Sequence, residues 1–156
     1  MMRMTKVLIV MSLSAVFIAP PALAQEPASY GWNAMDDGAI VQFGVPDTDD
    51  RAIRLDCADK GRIGIMGPAD TDEPEGATIE VTLKGRSGAK RHVGQVIDMG
   101  DGPNFAVTVM PDDDAITTLL AGRDLTLIVG KDDWSVPGKG AARLVRPLLA
   151  ICAKKR

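Results

Sequence analysis

Short apolar runs recur at intervals of roughly 8–12 residues along this chain, and glycine, proline or aspartate separates each run from the next. That rhythm predicts a mostly β domain, an antiparallel sandwich or flattened barrel of about seven or eight strands. Strands are expected near Tyr30–Ala34, Ala39–Phe43, Ala52–Cys57, Arg62–Met66, Ala77–Leu83, Lys90–Ile97, Phe105–Val109 and Leu125–Val129. The alternation is cleanest in Thr78-Ile79-Glu80-Val81-Thr82-Leu83, where Ile79, Val81 and Leu83 share one face and Glu80 and Thr82 the other. Ile53 and Leu55 alternate with Arg54 and Asp56 in the same way, which points Cys57 inward.

Gly85-Arg86-Ser87-Gly88 reads as a hairpin turn, because glycine reaches positive φ at little cost. Two helices interrupt the strands. Asp112, Asp113 and Asp114 precede Ala115–Leu120, where carboxylates face the positive end of a helix dipole, and Gly122 ends the segment. Ala141, Leu144, Val145, Leu148, Leu149 and Cys152 share one face of a terminal helix. Pro147 interrupts that pattern, so the helix is expected to kink there or to begin there.

Residues 1–24 have the layout of an export signal: Arg3 and Lys6, an apolar stretch from Val7 to Ile18, and Ala22-Leu23-Ala24 before Gln25. Cleavage after Ala24 leaves 132 residues, 25–156, enough for one β-rich domain. The mature chain then carries 16 basic and 21 acidic residues, a net charge of −5, which argues against nucleic acid as a partner. The apolar stretch is short for a membrane span and no second one follows, so a soluble periplasmic protein is expected. In an oxidising compartment the only two cysteines, Cys57 and Cys152, are expected to form a disulfide tethering the last helix. Two buried free thiols are the alternative. An exchange-active pair is disfavoured by the wide spacing.

Leu55-Asp56-Cys57 closing a strand and Leu148-Leu149-Ala150-Ile151-Cys152 closing the chain give a layout that resembles small periplasmic proteins of Gram-negative bacteria. Among them is the type VI secretion-associated accessory family, in which a strand cysteine pairs with one near a terminal helix. The resemblance covers these two segments and the signal. It implies the Cys57–Cys152 bridge and carries no activity with it.

Residues that do chemistry are sparse. His92 is the one histidine, and no nucleophile-elbow sequence surrounds Ser29, Ser87 or Ser135 in the mature chain, so a surface histidine is expected. One histidine and two bridged cysteines do not make a zinc site. Asp47-Thr48-Asp49-Asp50 and Asp70-Thr71-Asp72-Glu73 space carboxylates as calcium loops do, but the EF-hand glycine and terminal glutamate are missing, and both read as solvated loops. No cofactor is expected. The most unusual charge pattern is Lys84, Arg86, Lys90, Arg91 and His92 around one hairpin of an acidic chain. Such a patch suits an anionic partner, a periplasmic protein or an envelope component; alternatively it protects an edge hairpin from pairing with other chains. The expected function is a non-catalytic periplasmic binding or accessory protein. The alternatives are a hydrolase using carboxylates or His92, and an inhibitor that inserts the hairpin into an exported enzyme.

Overall fold

The alternation of Ile79, Val81 and Leu83 becomes the buried face of a strand, and the same rule organises every strand around it. The computed structural model describes residues 29–100 and 102–154, so the signal segment 1–24 lies outside the described residues. The chain runs through β1 (Gly31–Met35), β2 (Ile40–Gly44), β3 (Arg51–Cys57), β4 (Ile63–Pro68), β5 (Thr78–Gly85), β6 (Gly88–Asp98) and β7 (Pro103–Val109). Helix α1 (Asp114–Leu120), β8 (Leu125–Val129), β9 (Asp132–Val136) and α2 (Ala141–Ala153) follow. The nine strands among the described residues form one antiparallel sheet in the order β1-β2-β3-β4-β7-β6-β5-β8-β9.

The sheet curls into a half-barrel. Register partners carry its inner face from strand to strand: Val41, Leu55, Ile65 and Val107 in one row, Leu83 and Leu127 in another. These side chains are buried, together with Ile53, Ile63, Val81 and Phe105. The edges, β1 and β9, do not pair with each other. Instead the Trp134 side chain of β9 reaches the start of β3. The Trp134 indole Nε1–H donates to the Ala52 carbonyl at 3.1 Å, and the Trp32 Nε1–H donates to the Pro137 carbonyl at 2.6 Å. Aromatic rings line the seam, with Trp32 against Phe43 and Trp134 against Phe105.

The two helices fill the inner face. The Asp113 carboxylate accepts from the Ala115 N–H at 3.1 Å and so caps α1, which buries Ala115, Ile116, Thr118 and Leu119. Helix α2 starts after Gly140, whose φ of +88° suits glycine, and buries Ala141, Val145, Leu148 and Cys152 against β1, β2 and β3. It runs through Pro147 without starting there. Pro147 and Arg143 both face solvent, so water can satisfy the Arg143 carbonyl that loses its helical partner. The Cys57–Cys152 disulfide, with Cα atoms 5.1 Å apart, fastens the end of α2 to the end of β3 and closes a loop of 95 residues.

The eight strands expected from the rhythm all form, and β9 is a ninth. Asp132-Asp133-Trp134-Ser135-Val136 lacks an apolar run, because it is an edge strand that turns only Trp134 and Val136 inward. None of the described helices is long and apolar enough to cross a membrane.

Two predictions follow from this closure. Replacing both cysteines with alanine lowers the free energy of unfolding in urea by roughly 2–5 kcal/mol, given the long loop released; unchanged stability would contradict the tethering role. Trp32→Phe and Trp134→Phe keep a ring but lose a donor, and each costs about 1 kcal/mol or more in the same measurement.

Candidate functional site

The basic hairpin is the natural first candidate; its four cations stay exposed, but the structure turns His92 inward and commits Lys90 to α1. On β6, Lys90 and His92 alternate onto the same face as Val96, opposite the core residues Leu83 and Val81 of β5. The helix α1 lies over that face. Lys90 Nζ reaches the Asp113 carboxylate at 2.5 Å, and His92 Nε2 lies 4.0 Å from the same oxygen. The His92 side chain is 11 % exposed, which corrects the expectation of a surface histidine. No hydrogen bond joins His92 to a serine among the described residues, and Ser135 shares its hydrogen bond with Thr126.

The turn of the hairpin is pinned as well. The Arg86 N–H donates to the Thr118 hydroxyl at 2.8 Å, and the Ser87 N–H donates to the Asp114 carboxylate at 3.0 Å. A Cβ at Gly85 would collide with both acceptors, so glycine is required there by close approach, while Gly88 supplies the positive φ of the turn. Arg91 points outward to Glu80 at 3.9 Å. Lys84 and Arg86 alone of the four cations lack an acidic partner among the described residues. The patch is therefore a brace between β5, β6 and α1 with two free charges, and a turn held in this way is ill suited to insertion into another protein.

The electrostatics fit that bracing role. Hydrogen bonding to Asp113 and the charge of its carboxylate raise the pKa of Lys90. Burial acts to raise that of Asp113, but the Lys90 hydrogen bond, the Ala115 N–H and the charges of Lys90 and His92 together bring it below 3.8. Burial lowers His92 below 6.5 against the pull of Asp113, and Lys90 lowers it further.

The second candidate lies at the opposite ends of the strands. Antiparallel alternation gathers the loop residues 45–50, 69–77, 99–100, 102 and 130–131 at one end of the half-barrel, away from the start of α1 and the end of α2. Where Trp134 of β9 faces the start of β3 and the end of β4, two clefts of about 600 Å³ each lie side by side and share Pro68 and Trp134. The first adds Tyr30, Asp49, Asp50, Arg51 and Ala52 to its walls. The second adds Ala69, Asp70, Gly102, Pro103, Asp132 and Asp133. The Tyr30 hydroxyl donates to Asp50, which raises the tyrosine pKa. Arg51 is anchored through the Asp49 carbonyl and Met99 Sδ. Asp49, Asp70, Asp132 and Asp133 form no ion pair among the described residues.

These acidic loops do not make a metal centre: among the described residues no three His, Cys, Asp or Glu side chains converge as a ligand set. The mouth escaped the sequence reading because five separate stretches of chain build it. The one local signal was Trp134 beside Asp132, Asp133 and Ser135, an aromatic residue in polar company.

The part-buried His92 gives the junction of the hairpin and α1 a pH signature. Its folded pKa lies below the unfolded one, so the unfolded chain takes up that proton first and stability falls as pH drops below about 6.5. Asp113 has the same sign and adds its loss below 3.8. Urea unfolding at stepped pH should show this decline between neutral pH and pH 5 in the native protein and a flatter profile in His92→Gln; identical slopes would contradict the placement of His92.

No protein-family model, no curated protein and no solved structure matches the chain.

Proposed function

We propose that this chain is an exported periplasmic protein that works by binding, as an accessory module, through the open mouth of its half-barrel. The observation that carries the reading is the pair of adjoining clefts around Pro68 and Trp134, rimmed by carboxylates with no cationic partner among the described residues. The rest of the frame supports it. The helices pack on the inner face and the disulfide lies at the other strand end, which leaves these two larger clefts open. The export-signal layout of residues 1–24, the disulfide and the resemblance to small periplasmic accessory proteins point to the same compartment.

A hydrolase would need a base, or a pair of carboxylates at the cleft with separated proton affinities. His92 sits on the inner face in contact with Asp113, away from the mouth. Asp49 and Asp50 are sequence neighbours, and Asp50 accepts the Tyr30 hydroxyl. Neither arrangement favours catalysis over binding.

The test is a crosslinking capture from the periplasm with three forms of the oxidised protein: native, Lys84→Gln/Arg86→Gln, and Asp132→Lys/Asp133→Lys. A partner kept by the hairpin variant and lost by the mouth variant is the expected result. The reverse pattern would return the binding face to the hairpin.

A further inference from the structure

The chemistry of the mouth specifies its ligand, and this inference rests on the mouth being the binding surface. We propose that the mouth accepts an extended, basic segment of a partner protein, a stretch of chain with lysine or arginine at alternate positions. The shape argument comes first. The two clefts adjoin along Pro68 and Trp134 instead of merging into one enclosed cavity, so the depression is elongated and open. An extended chain repeats its side-chain direction every ~7 Å, which lets successive like-facing residues occupy successive clefts.

Charge then selects the sign. The walls carry five carboxylates, Asp49, Asp50, Asp70, Asp132 and Asp133, against the single cation Arg51. Arg51 is itself held by neighbouring acceptors, and Asp50 is engaged by Tyr30. The other four carboxylates are exposed and form no ion pair among the described residues, although Lys131 lies in the turn before Asp132 and shares a neighbouring cleft with Asp70. An acidic segment would meet repulsion on both sides of the groove, and a neutral one would leave the field unused.

The floor completes the match. Trp134 has its N–H committed to Ala52, so its ring position is fixed, yet it remains only half-buried within the cleft. A fixed, partly exposed indole flanked by Asp132 and Asp133 offers a lysine or arginine both a stacking face and counter-charges. Pro68 supplies a further rigid apolar wall. The basic hairpin lies at the opposite strand end, next to α1, so its free cations Lys84 and Arg86 do not neutralise this rim.

The experiment titrates the oxidised protein with short capped peptides of alternating Lys and Ala, Ser and Ala, or Glu and Ala, read by tryptophan emission and calorimetry. The Lys peptide is expected to bind saturably and to weaken as salt rises, and the Glu peptide not to bind. Asp132→Asn/Asp133→Asn should weaken the Lys peptide by about tenfold or more. Asp49→Asn/Asp70→Asn provides an independent second variant, and all these side chains are exposed, so unfolding midpoints should hold. Equal binding of the Ser peptide would overturn the basic-segment inference while keeping the mouth as a binding surface. Absence of binding by every peptide would overturn the inference itself, and the crosslinking capture would then decide separately whether the mouth binds at all.

Discussion

A curled antiparallel sheet that stops short of closure leaves two edge strands, and here two indole N–H groups tie β9 back, one from β1 and one to β3. Backbone pairing between β1 and β9 would have made a barrel with no cleft. Side-chain closure does something different: Trp32 holds the exit of β9 at Pro137, and Trp134 holds the middle of β9 at Ala52. Trp134, the start of β3 and the end of β4 line the clefts beside β9. The Trp134 bond therefore bears on the mouth, and the two bonds together bear on the closure of the core. The disulfide secures the remaining side by keeping α2 against β1, β2 and β3.

Charge is distributed around this frame in a way that composition conceals. The four cations concentrated in the β5–β6 hairpin look like a docking patch in one dimension. In three, Asp113 draws Lys90 and His92 toward α1, while Asp114 and Thr118 hold the turn by its backbone. Asp113 serves at once as helix cap and as counter-charge, so the hairpin and α1 are one unit. The acidic surplus gathers in loops at the far end, where few cations oppose it. An acidic protein with a basic hairpin thus offers its surroundings an acidic mouth.

Much of the fold was legible because its physics is local. Period-two alternation identified β5, glycine spacing identified the β5–β6 turn, and aspartates before an apolar run identified the start of α1. The terminal helix was visible from its apolar face, although Pro147 suggested a break that solvent exposure allows the chain to avoid. Strand β9 was hidden because an edge strand needs few apolar residues. The site was hidden for a deeper reason. Tyr30, Asp49, Pro68, Asp70 and Asp132 meet only after five loops and strand ends have been brought together by sheet order, and that order depends on the insertion of β7 between β4 and β6. The inward turn of His92 was readable in principle, since it shares parity with Val96 on β6.

The closure of the sheet by its two tryptophans is tested most directly by hydrogen exchange at the indole nitrogens, followed by two-dimensional NMR of the oxidised protein. If the bonds to Pro137 and Ala52 hold the seam, both indole protons exchange slowly, on the timescale of core amides in β3 and β8. Exchange of both as fast as amides in the loop 69–77 would show a seam that opens freely, and would contradict the account of how the core and the mouth are formed.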